Sequence, residues 1–297
     1  MIYLKQKESD VLVFLAKYKF LCSSQFAKLG LYKNKGDVTN LLKPMTEQKK
    51  PLIGIIKFPT DPTIGKLEYI YYLTKFGEKV LLEDLDYPQE KIKKVKSKPI
   101  STKDYFHRKS TIDFHIELNQ WLQNNSAEIK FLNYYFDKMG TFRDKENNTI
   151  REINRFYLND NKSFIPDITV KFKFNSASYI FLFEQHNGKD VKRLADQLHV
   201  HLLAISQDIV SKKFKFDKSN RVAVVCEEKS VKDAVIQRLQ NTDDFRNFYN
   251  YFIFKTNDEL KKDFFNNWTL INGEQVSFIQ KSNSNLSNNE VIWCHIL

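Results

Sequence analysis

Apolar residues in the first eighty positions recur at helical spacing and then give way to short continuous runs. The segment ESDVLVFLAKYKF places its apolar residues three or four positions apart, which predicts a helix. A second, shorter helix is predicted to end at Gly30, and a third to begin at Asp37. Runs at 51–58 and 66–74 are typical of strands, and the Pro, Asp and Gly residues between them predict a loop.

Three helices followed by a strand, a loop and a strand are the arrangement of a winged helix-turn-helix domain. In that fold the third helix enters the major groove of DNA and the loop lies along its backbone. The basic residues near the third helix are lysines, which suit phosphate contacts better than base contacts. Some other small α+β domain with the same element order is the alternative. The residues expected to bind DNA are Lys33, Lys35, Asn40, Lys43, Lys49 and Lys50.

The remainder of the chain alternates helical and strand-like patterns. A helix is predicted at 104–124, and the nearly continuous apolar run Tyr179–Phe183 indicates a central strand covered on both faces. A helix is predicted to begin near Asp190. These patterns predict a mixed α/β fold. The other predicted strands are 128–136, 163–174, 221–227 and 251–256.

Composition shifts predict four regions. We expect a winged-helix domain at 1–87, a basic linker at 88–103, an α/β domain at 104–280 and a polar tail at 281–297. A lysine run of this kind is usually a solvated connector. Between two DNA-facing domains it would also lie along phosphates, so Lys93, Lys94 and Lys96 are further candidate DNA contacts.

Overall charge favours a polyanionic partner. The chain has 297 residues, with 47 Lys and Arg against 36 Asp and Glu, a formal charge of +11. Three widely separated cysteines form no disulfide framework, which predicts a reducing, cytoplasmic environment. The start lacks a signal-peptide apolar region, and no apolar run approaches the about 20 residues that cross a bilayer. We therefore expect no membrane insertion.

Two carboxylates interrupt the apolar strands of the second region. Asp167 follows Pro166 at the start of one strand, and Glu184 ends the apolar run of the next. On adjacent strands they would lie a few ångströms apart and bind a hard divalent cation such as Mg²⁺ or Mn²⁺. Such a cation polarises a phosphoryl oxygen and activates water. Taken singly, each acid is also compatible with a structural role.

The preceding helix carries further candidate groups. Glu117 would complete a carboxylate cluster, with Asp113 one turn earlier and His107 nearer the helix start. The alternative for Asp113 is an ion pair with Lys109, four residues before it. The HVH segment at 199–201 is interpreted as helix surface and rim.

The order of these residues resembles a known nuclease fold. Glu117 on a helix, Pro166-Asp167 on a strand and Glu184-Gln185-His186 on the next are similar to the PD-(D/E)xK pattern. With the winged helix, the segments HRKSTIDFHIEL and FEQHNGKD resemble the plasmid replication-relaxation family and mobilisation relaxases of the MobC type. The resemblance covers about residues 8–260.

That resemblance implies a function and roles for the residues. It implies metal-dependent, strand- and site-specific nicking of double-stranded plasmid DNA at a transfer or replication origin, alongside relaxosome or coupling proteins. Asp167 and Glu184 would be metal ligands. Glu117 would be a further ligand or, like Asp113, a helper acid, and His107 would face the site.

One departure leaves the activity open. His186 stands where the pattern expects a lysine. Lys189 is a possible replacement, or His186 is itself the acid or base. Otherwise catalysis is lost and the chain is a DNA-binding accessory protein that keeps the nuclease fold as a scaffold. A winged-helix transcription regulator is a third hypothesis. A covalent tyrosine mechanism lacks a histidine triad beside Tyr134, Tyr135 or Tyr157.

Overall fold

A computed structural model describes residues 3–95, 104–137, 153–159 and 162–279. These residues form a mixed α/β fold, which confirms the predicted class. Residues 96–103 of the predicted linker, which include Lys96, and the predicted tail 281–297 lie outside the described residues. Within the described ranges, no helix is both long and apolar enough to cross a membrane.

The first unit surrounds a three-stranded antiparallel sheet in the order β1-β5-β2. Strand β1 was not expected, because three residues carry too little pattern to be recognised. Pro44 lies inside α3 without ending it. The elements are α1 Gln6–Tyr18, β1 Phe20–Cys22, α2 Ser23–Lys28, α3 Lys35–Glu47, β2 Ile53–Ile56, β3 Thr60–Asp61, β4 Gly65–Lys66, β5 Ile70–Leu73 and α4 Lys75–Asp84.

The predicted loop between β2 and β5 is a second, smaller hairpin. Its strands β3 and β4 pair through Thr60–Lys66 and Asp61–Gly65. The Asp61 carboxylate accepts hydrogen bonds from the backbone N–H groups of Thr63 and Ile64, at 2.8 and 2.9 Å. Gly65 has a φ of 85°, which favours glycine. The hairpin therefore has an ordered tip, where Ile64 is 60% exposed.

The second unit is built on a seven-stranded sheet in the order β14-β13-β12-β11-β10-β9-β6. Short 3-10 helices precede α5 (Gln89–Lys91) and β12 (Asp243–Tyr251). The other elements are α5 Tyr105–Asn124, β6 Glu128–Tyr134, β7 Phe156–Tyr157, β8 Ser163–Phe164, β9 Ile168–Phe174, β10 Ala177–His186, α6 Val191–Ser206, α7 Ile209–Phe214, β11 Arg221–Cys226, α8 Lys229–Gln240, β12 Phe252–Thr256, α9 Asn257–Lys262, β13 Trp268–Leu270 and β14 Gln275–Val276.

Strand β10 lies inside this sheet, antiparallel to β9 and parallel to β11. Its alternate residues face opposite layers. Phe183 stacks on Phe114 of α5 with ring centroids 3.8 Å apart, whereas Leu182 belongs to the core beneath α6 and α8. The prediction of a strand covered on both faces is confirmed. Asn175 and Ser176 have positive φ, 46° and 65°, and form the tight β9–β10 turn.

The two units share one hydrophobic core. Buried apolar residues of α1, such as Leu12 and Leu15, are continuous with Ile112 and Phe114 of α5 and with the sheet face carrying Phe183. This packing places the hairpin tip of the first unit beside the end of β10.

Within the mostly exposed described part of the predicted linker, Ile92 and Lys93 pack against the first unit, which corrects the expected DNA-contact role of Lys93. Ile92 is buried, and the Lys93 N–H donates to the Ala16 carbonyl at 2.8 Å. The Lys93 ammonium lies 3.2 Å from the Asp137 carboxylate, and Lys94 forms an ion pair with Glu78. Apolar burial of Ile92 holds the segment against α1 and directs the Lys93 ammonium inward.

Alanine at position 77 is expected to destabilise the protein, although alanine has a higher helix propensity than glycine. The Gly77 N–H donates to the Thr74 hydroxyl, the N-cap of α4, and a β-carbon there would lie 2.1 Å from the Leu52 carbonyl oxygen. Gly77→Ala is therefore expected to lower the free energy of unfolding by about 1–3 kcal/mol in urea denaturation. Gly36→Ala in α3, where the β-carbon meets open space, is the control and should raise it by up to about 1 kcal/mol. Equal effects would contradict the steric argument.

Candidate functional site

A cleft of about 670 Å³ opens at the carboxyl end of β10. The first turn of α5, the start of β9, the end of β10 and α6 form its walls, and the β3–β4 hairpin tip lies across its mouth. Polar groups at strand ends are exposed while their backbone stays rigid, which is a common way to build a site. Residues that line the cleft include Ile64, Asp104, His107, Asp167, Gln185, His186 and Arg193.

Asp167 lies on the floor of the cleft and is held from both sides. Its Oδ1 lies 2.7 Å from His107 Nε2, and its Oδ2 accepts the Gln185 N–H at 2.7 Å. Burial alone would lower the pKa of His107, but the hydrogen bond and charge of Asp167 outweigh burial and raise it. The arrangement therefore favours a protonated His107 beside Asp167.

Glu184 lies next to Asp167, as the sequence order predicts, but it is buried. Its Oε1 is 2.6 Å from His201 Nε2, and its Oε2 accepts from Gln197 Nε2 at 2.5 Å. Burial, followed by the charge of Asp167 and a hydrogen bond between the two carboxyls, raises the pKa of Glu184 well above its usual value. Burial lowers the pKa of His201 to about 3, which favours a neutral ring hydrogen-bonded to Glu184.

His186 ends β10 with a ring nitrogen that has no partner. The residue is 3% exposed, and no described residue forms a hydrogen bond with its buried Nε2. Burial and then the charge of Arg193 lower the pKa of His186. A neutral imidazole with a free ring nitrogen on the cleft wall can accept a proton or ligate a cation.

Glu117 and Asp113 do not join this cluster, which corrects their predicted role as a ligand and a helper acid. Glu117 lies ten residues after His107, about 15 Å along the α5 axis. It forms an ion pair with Lys28 at 2.8 Å, and Asp113 lies 3.5 Å from Lys109. The i,i+4 ion pair considered from the sequence is confirmed.

Lys189 is placed at the surface, not on the cleft wall. Its side chain is 83% exposed, with the ammonium 3.8 Å from the Glu228 carboxylate. It is therefore not in the position of the missing lysine. The residues predicted to bind DNA on and around α3 are all exposed, namely Lys33, Lys35, Asn40, Lys43, Lys49 and Lys50.

Two residues of α6 that contact Glu184 were not identified from the sequence. Gln197 and His201 lie four positions apart, so they share one face of the helix, and that face meets Glu184. The interpretation of HVH as surface is correct for His199, which lies 3.8 Å from Asp244, and wrong for His201, which is 1% exposed. The i,i+4 spacing of two polar groups after the Asp190 N-cap was the available signal.

The donor set formed by Asp167 on the cleft floor, the buried Glu184 beside it and His186 suits a divalent cation in chemistry, although the carboxylate oxygens already form hydrogen bonds. Within the described ranges, no group of three or more His, Cys, Asp or Glu residues is already arranged to hold a metal ion. Asp167 and Glu184 are nevertheless adjacent carboxyls, and His186 Nε2 is an orphaned buried nitrogen. Two carboxylates and an imidazole match Mg²⁺ or Mn²⁺, with the imidazole favouring Mn²⁺.

Comparison with known proteins leaves the cleft to be interpreted from its own residues. The family suggested by the sequence motifs accordingly stays an expectation. No family model, no curated protein and no solved structure matches the chain.

Proposed function

We propose that this chain is a DNA-processing protein that nicks origin DNA of a plasmid, with a divalent cation held by Asp167 and Glu184. The observation that carries the proposal is the adjacency of these two carboxyls at the β9–β10 strand ends, where Asp167 lines the cleft and Glu184 lies buried beside it. A site of this kind fits strand- and site-specific cleavage in plasmid mobilisation or replication, alongside relaxosome or coupling proteins.

The first unit supports DNA binding. Its order is helix, strand, helix, helix, strand, hairpin, strand around a three-stranded antiparallel sheet, which is the order of a winged helix-turn-helix domain. The exposed lysines on and near α3 supply phosphate contacts. In this proposal α3 approaches the major groove and the β3–β4 hairpin is the wing.

The second unit supports phosphodiester chemistry of the PD-(D/E)xK type. Pro166-Asp167 precedes β9 and Glu184-Gln185-His186 ends β10, and the pairing of Ile168 with Phe183 brings the two acids together. The cation would polarise a phosphoryl oxygen and lower the pKa of an attacking water. His107, protonated and oriented by Asp167, hydrogen-bonds the scissile phosphate. Neutral His186 accepts a proton, and Arg193 offsets phosphate charge.

Nicking of supercoiled plasmid DNA tests the proposal. With a plasmid that carries the chain's own origin, we expect open circles in Mg²⁺ or Mn²⁺ and none in EDTA. Glu184→Ala should remove the product because the cation loses a ligand. Glu227→Gln is the matched control, since it removes an acid from the rim of the same cleft and should leave nicking unchanged. Absence of metal-dependent open circles, in a preparation that binds the plasmid, would sink the proposal.

A non-catalytic DNA-binding accessory protein is the second candidate. The observation that favours it is that all four carboxylate oxygens of Asp167 and Glu184 already interact with protein groups, and His186 stands in place of a lysine. Calorimetric titration with Mn²⁺ separates the two. A nickase should bind Mn²⁺ and lose that binding in Asp167→Asn, whereas a scaffold should give no heat of binding while its DNA affinity is independent of metal.

A further inference from the structure

A second cleft adjoins the first and has a different character. It has a volume of about 360 Å³ and lies between the first unit, α5 and α9. Its carboxylates are Glu68, Asp113 and Glu117. Five lysines and three acids line this cleft. Its wall is therefore basic, whereas the first cleft contains Asp167. The lysines are Lys28, Lys35, Lys66, Lys109 and Lys261.

The acids of the second cleft already interact with neighbouring residues, so they do not neutralise all of its lysines. Asp113 and Glu117 pair with Lys109 and Lys28, and Glu68 accepts the Ser24 N–H at 2.8 Å. Neither Lys35 nor Lys66 forms an ion pair with any described residue. These two ammonium groups are therefore available to an anionic ligand, one at the start of α3 and the other at the end of the hairpin.

An apolar ridge separates the two clefts. Ile64, at the hairpin tip, and Phe106, in the first turn of α5, each line both clefts. They are 60% and 39% exposed, although large apolar side chains normally bury more of their surface. The Phe106 ring stands edge-on to Tyr105, with centroids 5.0 Å apart, which fixes its orientation. A flat aromatic face between a carboxylate cleft and a lysine cleft is the combination that stacks a nucleobase.

The size of the clefts decides which form of DNA reaches them. Cavities on the order of 300–1,000 Å³ enclose a small organic molecule, and a double helix, whose major groove alone is about 12 Å wide, does not enter them. A single strand does, with its phosphates against lysines and its bases against apolar faces. Asp167 on the floor of the first cleft is thus accessible only to unpaired nucleotides.

We infer that the two clefts form one binding track for unpaired DNA, in which Ile64 and Phe106 contact neighbouring bases and Lys35 and Lys66 contact the phosphates beyond them. This inference rests on the proposed function for the identity of the polymer as DNA. In this inference Lys35 belongs to the track that holds the separated strand, and the other exposed lysines on and near α3, such as Lys43 and Lys49, contact duplex.

Fluorescence anisotropy with the full chain in EDTA tests the track without requiring cleavage. The probes are a labelled oligothymidine of about 12 nucleotides and a labelled duplex of the same length. Phe106→Ala is expected to weaken single-strand binding by about tenfold and to leave duplex binding unchanged, and Phe106→Trp should restore it. Tyr157→Ala, which removes an aromatic ring that is 60% exposed and lines neither cleft, is the matched control and should change neither.

The lysines supply a second readout. For the single strand, log K falls as log salt rises. Replacement of Lys35 and Lys66 by glutamine should make this slope less steep by about 0.7 for each phosphate that is no longer neutralised. An unchanged slope together with unchanged affinity in Phe106→Ala overturns the track, as does an equal loss of single-strand and duplex binding.

The outcomes separate this inference from the proposed function. If the plasmid is nicked but Phe106→Ala binds the single strand like the parent chain, the track alone is wrong. If Phe106→Ala loses single-strand affinity selectively but no metal-dependent nicking occurs, the track stands as a binding site and the nickase proposal alone is wrong.

Discussion

Asp167→Asn is expected to reduce plasmid nicking by about a thousandfold or more. The substitution removes the charge that would bind the cation and the charge that raises the pKa of His107. Asparagine keeps an acceptor oxygen for the Gln185 N–H, so the β9–β10 edge should stay folded. The measurement is the rate of open-circle formation at saturating Mg²⁺ or Mn²⁺.

DNA affinity supplies the control for this loss. Asp167 lies in the cleft, away from the exposed lysines around α3, so Asp167→Asn should bind origin duplex as tightly as the parent chain, or slightly more tightly because a negative charge is gone. Retention of nicking within about tenfold would show that Asp167 is not a cation ligand. Loss of nicking with equal loss of duplex affinity would instead indicate misfolding.

Asp137→Ala is expected to lower the free energy of unfolding by about 3–5 kcal/mol. Asp137 is 6% exposed and lies 2.8 Å from the Lys19 ammonium and 3.2 Å from that of Lys93. It also accepts the Tyr134 N–H at 3.0 Å. Removal of one partner leaves two ammonium groups near the core without a counter-charge, which is the costly case for a buried ion pair. Urea denaturation measures the change.

A surface pair provides the comparison for Asp137. Lys79 and Glu83 lie 3.6 Å apart on α4 and are both more than half exposed, so Glu83→Ala should cost no more than about 0.5 kcal/mol. Similar losses in the two variants would mean that burial of the Asp137 pair contributes nothing, contrary to our expectation.

The pH dependence of stability follows from the same carboxylate. Burial alone raises the pKa of Asp137, but the charges of Lys93 and Lys19 outweigh it and lower the pKa below its ordinary value. The stabilisation is then fully present above the pKa of the unfolded carboxyl, about 3.9, and is lost as the pH falls through the lower folded value. Asp137→Ala should therefore unfold in acid with a flatter profile than the parent chain.

Long or continuous apolar patterns predicted the fold well, and short elements escaped prediction. Helices α1 and α5 and strand β10 were recognised because their patterns extend over several turns or a whole buried strand. The strands β13 and β14 have three and two residues, and their assignment depends on pairing with β12 across the sheet edge. Such tertiary pairing leaves no periodicity in the sequence.

The positions of the candidate site residues likewise depend partly on local strand pairing and partly on long-range packing. Asp167 and Glu184 are separated by a two-residue turn and antiparallel strands, so their adjacency follows from local register. Glu117 was expected to join them, but the rise of α5 carries it toward Lys28 of the first unit. Packing between the two units determines the position of Glu117. That packing cannot be deduced from the spacing of residues along the chain.

The shared core has a consequence for the order in which the chain matures on the ribosome. Lys19 and Asp137, which meet across the two units, are 118 positions apart. At roughly 5–20 residues per second, about 6–24 s pass between synthesis of the first and synthesis of the second. Until α5 has been synthesised, the Tyr18 ring at the end of α1 lacks the His115 ring on which it later packs. The Lys19–Asp137 ion pair therefore forms only after β6 has emerged.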